Sequence, residues 1–186
     1  MDEIVLAAMQ KWPNVPDCYG WLALDMRGDW FMRDAASQSL GSFQQASAAE
    51  APTAAKGSRL VHEGLIAFIG RNYTSDATGR WFFQNGPQRV FVELACSPWV
   101  WRIEPSGTVT SHNGQRPKEV VETLVDELGR LYLFTDLGLG LVHTQDMDLA
   151  ADHVASGRWV PQNVQLADLH SRFGFVLSPA GMAASQ

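Results

Sequence analysis

The sequence predicts an α+β fold of two structurally repeated halves, each an antiparallel sheet packed on a helix. Three observations lead there. Short β-rich runs alternate with turn signals, stretches of helical period stand between them, and the order hairpin, helix, hairpin occurs twice; a long-period self-similarity of this kind is sought before local motifs are interpreted. The 186 residues are 46% hydrophobic and 18% charged, which supplies a packed core and excludes wholesale disorder.

Ile4, Val5, Ala8, Met9 and Trp12 fall at helical spacing before Pro13, predicting a short amphipathic helix over 3–12. Two apolar runs bracket Arg27-Gly28-Asp29 between Tyr19 and Met32, the pattern of a hairpin. Residues 35–58 turn to Ala, Ser, Gln and Pro, too little apolar surface to offset ordering, and are expected to form a mobile insertion. A helix is expected from Ser58 as N-cap to Arg71, with Leu60, Val61, Leu65, Phe68 and Ile69 on one face. Arg80 to Phe83 and Arg89 to Leu94 then flank Asn85-Gly86, a strong hairpin signal.

The second half repeats the order. Leu24-Asp25 followed by Gly28 matches Ile103-Glu104 followed by Gly107, and Gly79-Arg80-Trp81-Phe82-Phe83 aligns without gaps on Gly129-Arg130-Leu131-Tyr132-Leu133. Between them Val120, Val121, Leu124, Val125 and Leu128 read as the apolar face of a second helix over 117–128, opened by Pro117. A short turn or helix is expected near 146–154, and a last short helix or extended segment near 164–173. The organisation is thus a helical segment at 1–16, a first half at 17–100 containing the insertion, a second half at 101–160, and a C-terminal segment at 161–186 that packs back and frays from residue 180.

Gly28-Asp29-Trp30, then Arg59, His62, Leu65 and Phe68, then Asp76, Gly79, Trp81 and Phe83, then Pro87, Arg89-Val90, Val92-Glu93 and Pro98 form a pattern that resembles the bacterial domain-of-unknown-function family twelve-eighty-five, or a sister family of it. The resemblance spans roughly residues 19–150. It implies two related α+β halves and a role in signal transduction or regulation. It carries over no catalytic residue, because Gly, Pro and aromatic motifs specify fold more than chemistry. The chain departs from the pattern by its Ala/Ser/Gln insertion and by Gln88 where an acidic residue is expected.

Twenty acidic groups against fourteen Lys and Arg give a net charge of −6, with no electrostatic footprint for a nucleic acid or an anionic membrane. Cys18 and Cys96 stand far apart without a CxxC or Cys/His cluster, so no zinc site or disulfide framework is expected and both read as packing residues. The acidic start Met1-Asp2-Glu3 is wrong for a signal peptide and no apolar run spans a bilayer; a cytoplasmic location without membrane contact is expected.

Chemistry is sparse. His143, Asp146, Asp148 and His153 form the one close grouping of His with carboxylates. They offer ligands for a divalent metal, while the plainer reading makes the Asp residues helix caps and His143 a strand residue. The plainer reading is adopted, with no catalytic residue, no metal and no cofactor expected. Gly138-Leu139-Gly140 lacks a following helix and reads as a hairpin turn, not a dinucleotide loop. The ligand-binding candidates are His62, Arg71, Asn72, Tyr73, Asn85, Gln88 and Arg89, at the helix ends and the hairpin tip, because Arg and Asn among aromatics suit an anionic group. Their alternative is structural, with Asn72 a helix C-cap and Arg89 a cross-strand neighbour of Glu93.

Of seven Trp, Trp21, Trp30 and Trp81 are expected in the core. Of Trp99 and Trp101, one is expected inward and one outward, the latter an interdomain wedge or a homodimer contact. The expected function is a non-enzymatic binding or regulatory module for a small ligand or a protein, held in the seam between the halves. The alternative is a metal-dependent or acid/base enzyme using His143, Asp146 and His153.

Overall fold

The computed structural model describes residues 1–47 and 53–183. The chain forms two compact units: the first comprises residues 1–25, 29–95 and 175–186, the second residues 26–28 and 96–174. The main division between the units falls at 95/96. The C-terminal segment is divided, its first part belonging to the second unit and its last to the first.

The first unit carries helices α1 (Glu3–Lys11), α2 (Ala35–Ser39), α3 (Phe43–Ala46), α4 (Glu63–Arg71) and, from the end of the chain, Pro179–Ala183. Its strands are β1 (Cys18–Leu24), β2 (Trp30–Met32), β3 (Ser58–Arg59), β4 (Tyr73–Ser75), β5 (Trp81–Asn85) and β6 (Gln88–Leu94), in the order β3-β2-β1-β6-β5-β4. The second unit holds β7 (Trp99–Ile103), β8 (Val109–Ser111), β9 (Val120–Val125), β10 (Leu131–Thr135), β11 (Gly138–Val142) and β12 (Gln162–Asn163), with helices α5 (Met147–Ala155) and α6 (Leu166–Arg172). Its order is β12-β9-β10-β11-β7-β8. The two sheets share one wiring. A hairpin (β1–β2, β7–β8) and a three-strand meander (β4–β5–β6, β9–β10–β11) are joined by a parallel pair, β1 with β6 and β7 with β11. The sheets are therefore mixed, with antiparallel pairs in the majority.

Helices cover both sheets, but at different places in the chain order. In the first unit α4 stands between hairpin and meander and sets Phe68 edge-on against Phe83 of β5, 5.4 Å between rings. In the second unit α6 follows the sheet, with Phe173 at its C-cap packed on Phe134 of β10 at 4.8 Å. The expected helix over 117–128 is strand β9 instead. Its spacing suits a helix, but Val120, Val121, Thr123 and Val125 are β-branched, stiff in a helix and at ease on a pleated surface, and every residue of the strand but Val121 pairs with β10.

Smaller differences have equally local causes. Helix α4 starts at Glu63 because His62 supplies the cap, its Nδ1 accepting from Leu65 N; Ser58 lies in β3, paired with Met32. At the β5–β6 hairpin Asn85 pairs with Gln88, so the two loop residues are Gly86 and Pro87, and Gly86 alone takes positive φ. The insertion at 35–58, expected mobile, carries α2, α3 and β3 among its described residues; its residues 48–52 lie outside them. The fully buried Arg33 holds it: Nε donates to Ala55 O, and Nη2 to Gly41 O at 2.6 Å and Ala55 O at 3.0 Å. Phe43 of α3 enters the core beside Phe31 and Ala23. At the other end, residues 179–183 are helical, although fraying is expected from 180, and residues 184–186 lie outside the described set.

Trp30 is in the core at 2% exposure, Trp81 is half-buried and Trp21 lies 44% exposed. Trp99 and Trp101 do not split. Residues two apart on a strand share a face, and both are buried, their rings 5.9 Å apart and 18° from parallel. They donate to Leu137 O and Leu133 O respectively and lie over Gly140 of β11, where a methyl would fall inside contact distance of Trp101 Nε1 and 2.7 Å from Trp99 Cβ.

One device recurs at an offset of fifty residues. In Asp76-Ala77-Thr78-Gly79-Arg80, Asp76 Oδ1 accepts from Thr78 N and Arg80 N, and Arg80 Nε donates to Oδ2 at 2.8 Å. In Asp126-Glu127-Leu128-Gly129-Arg130, Asp126 Oδ1 accepts from Leu128 N and Arg130 N, and Arg130 Nε donates to Oδ2 at 2.7 Å. Gly79 and Gly129 occupy the same left-handed corner, φ 78° and 75°, which a side chain would strain. Each turn fixes the entry to the middle strand of its three-strand meander, β5 or β10.

Two outcomes follow from these contacts. Burial alone would raise the Asp76 carboxyl, but hydrogen bonds from Thr78 and Arg80 outweigh it and hold it down at about 2. A depressed folded-state value gives stability that is present above pH 4 and lost as pH falls toward 2, about 2 kcal/mol for this shift; in urea unfolding, the gap between wild type and Asp76→Asn is expected to narrow across that window, and a pH-independent gap would refute the assignment. Gly140→Ala is expected to cost about 1–3 kcal/mol by overpacking, read by denaturant unfolding followed through Trp fluorescence; an unchanged midpoint would refute the close approach.

Candidate functional site

Three segments of the second unit converge on a cleft of about 460 Å³: the β7–β8 hairpin tip (Ser106, Gly107, Thr108), the approach to β9 (Arg116, Lys118, Glu119) and the residues after α5 (Arg158, Trp159). A second depression of about 250 Å³ shares Val120, Arg158 and Trp159 with it and runs along β9 to Val160 and Gln162. The hairpin tip is closed by Gly107 N donating to Glu104 O at 2.8 Å and Glu104 N to Thr108 O at 2.9 Å. Within it Ser106 Oγ donates to Thr108 Oγ1 at 2.9 Å. The approach to β9 is pinned where Lys118 N donates to Asp136 Oδ1 at 2.7 Å. Trp159 is buried, 4.5 Å from the His153 ring, and its main-chain N–H donates to His153 O. Gly107 lets the tip come close: a methyl there would sit 3.0 Å from Arg158 Nη1 and from His153 Cε1.

Charge on the cleft opposes that of the chain. Arg116, Lys118 and Arg158 line it against Glu119, on a protein of net charge −6. Arg116 faces Glu104 loosely at 3.7 Å, both largely exposed. Lys118 and Arg158 form no ion pair among the described residues. Cations and hydroxyls on a concave surface can hold an anionic group through charge-assisted hydrogen bonds. None of these cations was marked by a motif, since Arg116 and Arg158 lie 42 residues apart in the chain.

The seven polar residues singled out from the sequence lie in the first unit and serve its own architecture. Arg71 chelates Asp2 through Nε and Nη2, both 3.2 Å, and holds the Asp2 carboxyl below its usual range. Asn72, fully buried, accepts from Asp2 N at 2.7 Å and donates to Phe68 O. Together they moor α1. Arg89 chelates Asp17 at 2.9 and 2.8 Å, and Gln88 Nε2 donates to Pro16 O, so the hairpin tip moors the segment entering β1. His62 is the helix cap described above, Tyr73 is buried against Trp30 and Trp81, and Asn85 closes the hairpin.

The His/Asp grouping is similarly occupied. Asp146 takes Arg102 Nε at 2.6 Å, Arg102 Nη2 at 3.0 Å and Ile103 N at 3.0 Å, and its carboxyl is lowered, chiefly by the Arg102 bond. His143 Nδ1 accepts from Gln145 N. Asp148 lies in the first turn of α5, and His153 packs on Trp159. Among the described residues no three His, Cys, Asp or Glu gather as a metal-ligand group. His153 alone of the four comes near the cleft, from behind Trp159. Gly138 and Gly140 lie in β11 directly after the two-residue turn.

Cys96 is buried, its Sγ 3.3 Å from Tyr132 Oη, which in turn donates to Asp126 Oδ2 at 2.8 Å. Burial pushes both thiols up, Cys96 and Cys18 alike, the reverse of nucleophile activation. No helix among the described residues is long and apolar enough to cross a membrane.

The chain is similar to two solved structures: a DUF1285 family protein from Silicibacter pomeroyi DSS-3, at 13% identity over 82% of this chain and 84% of that one with a TM-score of 0.49, and a DUF1285 family protein from Shewanella baltica OS155, at 12% identity over 71% and 91% with a TM-score of 0.44. No curated protein matches the sequence. DUF1285 is the domain of unknown function twelve-eighty-five, a family other than the one whose model matches the chain. The family model DUF2944, described as "Protein of unknown function (DUF2946)", matches residues 1–180, and the chain belongs to this family.

Proposed function

We propose that the protein is a binding or regulatory module whose second unit takes up an anionic ligand in the cleft lined by Ser106, Thr108, Arg116, Lys118 and Arg158. One observation carries this reading: an acidic chain places Lys118 and Arg158, without ion-pair partners among the described residues, on one concave surface. Exposed cations have no packing reason to collect on a concave surface, and a shared counter-charge supplies one. The volume suits a small ligand or a short stretch of a larger one. The lining supplies fixed donors for recognition. The one nearby imidazole, His153, packs against Trp159.

Citrate and inorganic phosphate serve as probes in calorimetric titration at low ionic strength. Arg158→Ala and Lys118→Ala are each expected to weaken binding about tenfold, the size of one charge-assisted hydrogen bond, and added salt to weaken it further. Both side chains are exposed, so stability should hold within about 0.5 kcal/mol. Affinity unchanged in the double variant, or no binding by wild type, overturns the reading.

A further inference from the structure

We propose that the ligand of this cleft is an extended acidic peptide, which adds a strand to the open edge of β9 and sets its carboxylates against Lys118 and Arg158. The inference rests on the anion-binding reading above and deepens it. Strand β9 is six residues long and pairs with β10 from Val120 to Val125. On its other edge β12 supplies only Gln162 and Asn163, opposite Leu124 and Val125. Residues 120–123 therefore have no strand on that side among the described residues.

The direction of the free groups follows from the ladder. Val164 N donates to Val125 O at 3.0 Å, so Val125 turns its main chain outward, and with a strand period of two Thr123 does the same; the parallel pairing of Leu124 with Gln162 engages the Thr123 carbonyl and leaves its N–H toward the trough. The register shift beside Thr135 leaves Val121 without a partner on β10, its side chain 54% exposed. After Trp159 the chain runs toward Gln162, so that the depression along β9 has Val120 to Thr123 on one bank and Val160, 75% exposed, on the other.

An elongated trough beside unpaired main chain calls for a ligand with its own main chain. A compact anion would meet the cations and leave the edge unpaired. An added strand would meet both, placing alternate side chains over Val121 and Val160 and carboxylates at Lys118, Arg158 and Arg116. Edge strands left open invite pairing unless blunted. Glu122, the charge within this stretch, is drawn off by Arg172 of α6 at 2.7 Å.

The test uses the full chain, ¹⁵N-labelled, with four probes: a capped hexapeptide of alternating Glu and Val, the same peptide with alternate backbone nitrogens methylated, its Lys/Val counterpart, and citrate. The Glu/Val peptide is expected to slow hydrogen exchange at the Thr123 amide at least tenfold. The methylated peptide should bind at least tenfold more weakly, and the Lys/Val peptide should not bind. Arg158→Ala should weaken the Glu/Val peptide about tenfold. If citrate binds but the Glu/Val peptide leaves Thr123 exchange unchanged, strand addition is overturned and the anion site stands. If neither binds, both fall. Equal binding of the methylated or Lys/Val peptide also overturns the proposal, as does a dimer by light scattering whose Thr123 amide is protected without peptide, since the edge would then hold a second copy.

Discussion

Everything in each unit depends on one parallel strand pair. A two-stranded hairpin is marginal in water and a three-strand meander has little face to bury; the pair that joins them makes a sheet wide enough to hold a core. Parallel pairs need cover on both faces, and the residues at these joins have it. Ala23, Leu24, Val92 and Leu94 are at most 1% exposed in the first unit, and Val100, Trp101, Leu141 and Val142 at most 3% in the second. The aspartate–arginine turns then set where the middle strand of each meander enters, and with it which side chains meet the join. Aromatic stacking over Gly140 and the cover from α4 or α6 presuppose that register.

Part of the strand pattern was legible because turns are local chemistry. Gly28 and Gly107 marked the corners of the two leading hairpins, and the gapless alignment of Gly79-Arg80 on Gly129-Arg130 marked a repeated segment, although the strands before those two glycines, β4 and β9, were not read as strands. Which segments became helices was less legible. Val120 to Leu128 satisfies a helical spacing and a strand composition together, and the decision lies with β10, whose partnership is not visible in a local window. The tract at 35–58 is poor in apolar residues, yet the tethers that order its described part come from Arg33 outside it and from Phe43, which enters a core built by β1 and β2. Two side chains outweighed the composition of the whole stretch.

The candidate site was almost illegible. Arg71, Asn72, Gln88 and Arg89 looked like recognition residues because the groups that satisfy them, Asp2, Pro16 and Asp17, lie about seventy positions away in sequence. Arg116, Lys118 and Arg158 drew no notice because no motif spans them; their meeting is produced by the β7–β8 hairpin and by the chain returning after α5. Asp146 was read as a helix cap, with metal ligation as the alternative; the partner that takes both its oxygens, Arg102, lies 44 positions away and is not visible in a local window.

The last stretch of the first unit comes from the far side of the second. Leu94 N donates to Leu177 O, Val176 N to Gly79 O, and Glu93, 2% exposed, accepts from Ala180 N. During synthesis on a ribosome these partners emerge only after residues 96–174 have left the exit tunnel. Until then Glu93 has only the Gln44 amide and the charge of Arg33 to face, while the inserted unit already has its whole sequence. The half that begins first is the one that finishes last.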